Sequence, residues 1–278
     1  LVKTYKTMLE GVLDFIKELK LRNEELFYLG TLCLALSIVC FVLSRFTSTQ
    51  VGGVNGWLKP FKFAVSIGSY AWTMAWYCHY LSNFNTTLFS WTVIILFGFV
   101  QFYIVFQAAR GQLSHFNISS PTYSMLYSLM GLAAVIVTLY TAFIGLLFFT
   151  QSFPDLPNYY LWAIRLGILI FVIFSFEGGL MGSRMNHSVG ALNDNSNWFI
   201  VGWSKTVGDL RVSHFIGMHA LQLLPLLSFY AFKNTKAIII ISILYGLLAT
   251  TTLVQALKGK PLFVQKEKTT KNVQPPLE

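Results

Sequence analysis

The chain has 278 residues, of which 55% are hydrophobic, 16% aromatic and 11% charged, with a net charge of +9. A soluble domain carries about a quarter charged residues, so this composition excludes an ordinary water-soluble protein and points to a chain built for lipid. The three cysteines form no CxxC and no disulfide framework, and no glycine-rich nucleotide loop appears.

Residues 1–22 predict an amphipathic helix lying in the membrane interface. Tyr5, Met8, Leu9, Val12, Leu13, Phe15, Ile16 and Leu19 recur at helical spacing, while Lys6, Glu10, Asp14, Lys17 and Glu18 fill the other face. The acids within it are foreign to a secretion signal. Seven apolar runs follow, at 26–43, 61–81, 88–108, 124–149, 160–180, 214–232 and 237–256. Each approximates the roughly 20 residues that a helical crossing of a bilayer requires. The expected fold class is all-α, a polytopic integral membrane helix bundle of about seven transmembrane helices over 26–256. A basic cytosolic tail, 257–278, completes the chain, and the whole is one domain without internal repeats.

Basic residues set the expected orientation. Twelve Lys and Arg residues fall on the side reached after the first span, here called face A, against seven on the opposite face B. The positive-inside rule then makes face A cytoplasmic and the N-terminus external, in a bacterial inner (plasma) membrane. The net charge is thereby a topology signal and calls for no nucleic-acid partner. The lipid bilayer is the expected partner, and the sequence leaves the oligomeric state open.

Four polar segments gather on face A. Lys59 and Lys62, three residues apart, open the second span behind Pro60, as a cationic rim or as a pair holding a phosphate or carboxylate. If the third helix continues past Gln107, then Arg110, Ser114 and Asn117 share its inward stripe, with His115 at the flank. Glu177 ends the fifth span inside an apolar run, where a carboxylate should be paired, protonated or bound to a cation, with Arg184 or Arg110 as counter-ion. His187 follows, and the long connection 182–210 reads as a lid. The sixth span opens with Asp209 as N-cap, then Arg211, His214, His219 and Gln222. His214 and His219 lie about 140° apart on a regular helix, so both reach one site only through a local unwinding. Pro225 is a candidate kink. Arg165, nearer face B, either snorkels outward or pairs within the bundle.

Three functions use such a set. A metal-dependent membrane enzyme takes His115, His187, His214 and His219 as ligands to zinc or iron, with Glu177 and Asp209 as catalytic carboxylates. Lys59, Lys62, Arg110, Asn117, Arg184, Arg211 and Gln222 then bind an anionic lipid or small anionic substrate. A transporter or channel for a small anion or polar solute uses the same groups as a binding site. A b-haem or quinone redox protein needs two histidines at matched depth, which the rim positions of His115 and His187 disfavour.

Overall fold

The computed structural model describes residues 2–190, 198 and 200–263, with side chains from Glu10 onward. The turn cluster at 193–197 and the basic positions Lys266, Lys268 and Lys271 lie outside the described residues. In chain order the helices are α1 (Val2–Arg22), α2 (Glu24–Phe46), α3 (Leu58–Cys78), α4 (Thr86–Ala109), α5 (Pro121–Thr150), α6 (Asn158–Ser183), α7 (Leu210–Met218), α8 (Ala220–Tyr230) and α9 (Thr235–Leu257). Two antiparallel ribbons join them: β1 (Gln50–Val51) with β2 (Val54–Asn55), and β3 (Ser188–Val189) with β4 (Gly208–Asp209).

Local chemistry explains the ends of these helices. Asn23, Asn85, Ser120 and Asn234 cap α2, α4, α5 and α9, each accepting a backbone N–H three residues on. At their other ends α4, α6 and α9 turn off through Gly111, Met185 and Gly259, all at positive φ. The amides of Gln112, Asn186 and Lys260 then reach back to the carbonyls of Gln107, Met181 and Gln255 at 2.9, 3.2 and 3.1 Å. Gly111 thus corrects the expected helical stripe from Gln107 to Asn117, because the helix stops at Ala109 and Ser114–Asn117 belong to a loop.

Five helices, α2, α4, α5, α6 and α9, are long and apolar enough to cross a membrane, and the bent pair α7–α8 makes a sixth. The chain is therefore a helical membrane bundle. α3 falls short on apolarity, and its surroundings give the reason. Tyr70, Met74 and Tyr77 of α3 lie in one core with Phe89, Val93, Val137, Ile144, Phe148, Ile164, Ile168, Phe171 and Leu221. A helix wrapped in protein needs no lipid-facing apolar belt. α2 and α3 cross at Gly30 and Gly68, where a Cβ on either would sit 3.1 Å from the other's carbonyl oxygen. Trp72 covers Gly30 and donates from Nε1 to the Phe27 carbonyl at 3.2 Å.

Cys33, Cys40 and Cys78 are buried free thiols within the bundle. Arg165 pairs inside it: its Nε donates to the Phe148 carbonyl at 2.8 Å, in the last turn of α5, between the rings of Phe149 and Trp162.

The sixth span is not one helix. It breaks at His219, with α7 and α8 inclined by 43°. Pro225 lacks the N–H that the Leu221 carbonyl would accept in an α-helix. Tyr77 Oη replaces it, donating to Leu221 O at 2.7 Å, and Tyr245 Oη donates to Ile216 O at 2.6 Å just before the break. In lipid every backbone polar group needs a partner inside the protein, so these phenols make the break tolerable. Tyr77→Phe should therefore cost about 1–3 kcal/mol, because it strands a buried carbonyl. Thermal unfolding of the purified protein in detergent measures it, and an unchanged midpoint would contradict this account.

Candidate functional site

The connection from α6 to α7 begins and ends on the β3–β4 ribbon, with Ser188 opposite Asp209 and Val189 opposite Gly208. Gly208 is obligatory there, since a Cβ would run into the Ala256 carbonyl of α9. The ribbon thereby fixes Asp209 at the start of α7, 2% exposed.

Four donors converge on that carboxylate. Oδ1 accepts the Arg211 amide at 3.0 Å and Arg211 Nε at 2.9 Å. Oδ2 accepts Arg211 Nη2 at 2.6 Å and the Ser204 amide at 2.9 Å. Arg211 Nη2 also donates to the Gly202 carbonyl. Beside it, Lys62 Nζ donates to the Val201 carbonyl at 2.9 Å. Gly202, at φ +69°, has no side chain to obstruct either cation: its Cβ position lies 3.3 Å from Lys62 Nζ and 3.8 Å from Arg211 Nη1. Half-buried Lys59 completes the group, within electrostatic reach of Lys62, Arg211, His115 and His187. Among the described residues, Asp209 is the only carboxylate paired with these three cations, and it is paired with Arg211.

The histidines are spread around this core. His187 Nδ1 lies 3.1 Å from Ser188 Oγ and 3.9 Å from Asp209 Oδ1. His115 packs its ring on Phe63 and Tyr127, at 5.2 and 6.1 Å between centroids, and Phe116 links it to His187. Phe116 holds φ +58° to do so, a costly conformation for an aromatic residue. Deeper in, His214 Nδ1 donates to the Phe174 carbonyl at 2.7 Å and lies 3.6 Å from Glu177 Oε2. Ser213 Oγ lies 3.2 Å from Glu177 Oε1. His219, at the helix break, is 3.3 Å from Gln222 Oε1 and packs on Phe215.

Two expectations are corrected. Among the described residues no three His, Cys, Asp or Glu side chains gather as a metal ion requires, so His115, His187, His214 and His219 do not form one coordination site. Each imidazole is instead engaged locally: His115 with Ser114, His187 with Ser188, His214 with the Phe174 carbonyl and His219 with Gln222. The expected anion-binding set also divides. Lys59, Lys62 and Arg211 stay together, whereas Arg110 and Arg184 are exposed at the ends of α4 and α6, Arg110 lying over Phe106. Asn117 is buried but holds its own loop, bonding Leu113 O, Ser119 N and Ser119 Oγ. Sequence reasoning missed the Val201 and Gly202 carbonyls, Ser204 and Ser213. Only the Asp209-x-Arg211 spacing, which suits a capped and forked pair, offered a signal for the geometry.

Burial alone would raise the Asp209 carboxyl, but the Arg211 hydrogen bond and charge, then His187 and the Ser204 amide, hold it below the ordinary carboxylate range. Burial, then the charge of Arg211, pushes His187 below its ordinary value despite Asp209. Burial and Lys59 do the same to His115. In each case the folded value lies below the unfolded one, so protonation favours the unfolded chain. Stability should be greatest above the unfolded histidine value of about 6.5 and fall on acidification, through the histidines first and Asp209 later. Thermal unfolding across that range should show the decline, with a shallower slope in His187→Gln. A midpoint that rises on acidification would contradict it.

Comparison with protein-family models, with curated proteins and with solved structures gives no match for this chain.

Proposed function

We propose that the chain is a seven-span membrane protein that binds an anion, a phosphate, sulfate or carboxylate group, at the face-A end of α3 and α7. The observation that carries this is electrostatic. Lys59, Lys62 and Arg211 share one site with a single described carboxylate, Asp209. Partly buried like charges repel and lose hydration, so the arrangement is favourable only with a further negative group in place. Guanidinium and ammonium donors suit an oxyanion.

In this reading α3 is the seventh crossing. Its 21 residues span about 30 Å, and the alternation of helix directions then puts the ends of α2, α4, α6 and α9 and the starts of α3, α5 and α7 on face A. Face A is cytoplasmic by its excess of Lys and Arg. α1 lies in the opposite interface as an amphipathic helix, supported by Phe15 stacked on Trp76 and Arg22 over the Trp76 ring.

A carrier or channel for the same class of anion is the second reading, favoured by the broken α7–α8 span, since discontinuous helices near the midplane are a recurrent feature of transporter sites. A metal-dependent enzyme is not proposed, because its ligand set does not assemble among the described residues.

The test is sulfate titration of the full chain in phosphatidylcholine nanodiscs, with and without phosphatidylglycerol. The parent should bind, and Lys62→Gln and Lys59→Gln should each weaken binding by roughly ten- to a hundredfold, the equivalent of about 1.5–3 kcal/mol for a charged hydrogen bond. If a lipid headgroup is the natural occupant, phosphatidylglycerol competes with sulfate; if a soluble anion is, it does not. Sulfate binding that is absent in the parent, or equal in parent and both variants, overturns the proposal.

A further inference from the structure

We infer that the anion site takes the phosphate of an acidic membrane phospholipid, whose apolar part lies against Phe215 of α7 and Trp198 before it; the inference rests on the anion reading above. Trp198 and Ile200 belong to the connection before α7, and Phe263 follows α9, so all three stand outside the helices. They are nonetheless 40%, 50% and 63% exposed. Large apolar side chains left open at a surface mark a contact with lipid or with another molecule. The Trp198 and Phe263 rings meet edge to face at 6.3 Å, and Lys205 Nζ stands 5.1 Å from the centre of the Trp198 ring. An indole beside a lysine suits the headgroup layer, where the ring meets apolar matter and the ammonium meets phosphate.

The same segment supplies partners to the cations of the site. The Trp198 amide donates to the Trp203 carbonyl at 2.9 Å, and the Gly202 amide donates to the Trp198 carbonyl at 2.7 Å, which folds the backbone back on itself. Beside these bonds the Val201 carbonyl accepts Lys62 Nζ and the Gly202 carbonyl accepts Arg211 Nη2. Exposed Ile200 adjoins the first of these carbonyls in the chain. The apolar surface and the cationic site are therefore one neighbourhood.

α7 extends that neighbourhood along its axis. Arg211 and Phe215 are four residues apart and share a face of the helix. Trp203 meets the Phe215 ring at 5.6 Å and His219 meets it at 4.4 Å, both edge to face, yet Phe215 keeps 46% of its surface exposed. A guanidinium followed one turn later by exposed aromatic surface matches an amphiphile. The phosphate accepts from Lys59, Lys62 and Arg211, and the apolar part covers Phe215 and Trp198. A soluble anion uses only the first half of this arrangement. Charge then selects among lipids: three basic side chains against the Asp209 carboxylate favour a headgroup of net negative charge and oppose the choline of a zwitterionic one.

Sulfate titration of the full chain and its variants, in nanodiscs of phosphatidylcholine alone and of phosphatidylcholine with phosphatidylglycerol, tests this. In the parent, phosphatidylglycerol should weaken sulfate binding roughly tenfold. Phe215→Gln and Trp198→Gln should bind sulfate in phosphatidylcholine as the parent does, with the weakening by phosphatidylglycerol cut to roughly threefold or less. Phe215→Leu, which keeps an apolar flank, should behave like the parent in both discs. The surface charge of the disc acts alike on parent and variants, so the difference between them reads the site itself. Sulfate binding that phosphatidylglycerol leaves unchanged in the parent, or weakens equally in the parent and both glutamine variants, overturns the inference and leaves the anion reading standing. Absence of sulfate binding in the parent overturns both.

Discussion

A carboxylate that is almost wholly removed from water persists only when donors fill its lone pairs, and the Asp209 side chain meets that condition with two amides and the fork of Arg211. Much of this end of the bundle depends on it. The same oxygens cap α7, anchor the returning strand of the 182–210 connection through Ser204, and aim Arg211 at the Gly202 carbonyl. Replacing the carboxylate would release the helix start, the connection at Ser204 and the guanidinium together, so Asp209 organises this end of the bundle.

The interior meets a second constraint, the saturation of backbone groups in a medium without water. A continuous helix does this by itself, whereas the break at His219 and the proline at 225 do not. Tyr77 and Tyr245 supply the missing donors from α3 and α9 on either side of the junction, where His219 meets Gln222. The centrality of α3 follows from this role. It carries the phenol that closes the break at one end and the two lysines of the site at the other, and being enclosed by protein it can afford both.

The histidines illustrate how depth governs chemistry in a bundle. Segments that end on one membrane face bring their polar residues to a common side, but side chains a turn apart along the bundle axis are separated by about 5 Å. His187 stops at Asp209, His115 lies in an aromatic cluster, and His214 reaches Glu177 one turn further in.

By itself the sequence determined the membrane class, because apolar run lengths and a shortage of charge are properties of composition and spacing. Counting seven crossings also leads to the expectation that Lys59, Lys62, Asp209, Arg211, Glu177 and four histidines share one side, since each crossing reverses direction. Tertiary structure alone decided who meets whom. The separation of Arg110 and Arg184 from Arg211, the carbonyls of Val201 and Gly202, and the division of the histidines all depend on the rotation of each helix about its axis and on the path of the connection before α7. Helix ends at Gly111 and Met185 depend on single left-handed residues, one of them not a glycine, which periodicity does not register. Rotation and loop path are set by packing between segments distant in the chain, such as Gly30 on Gly68 and Tyr77 on Leu221, and such contacts leave no local pattern to read.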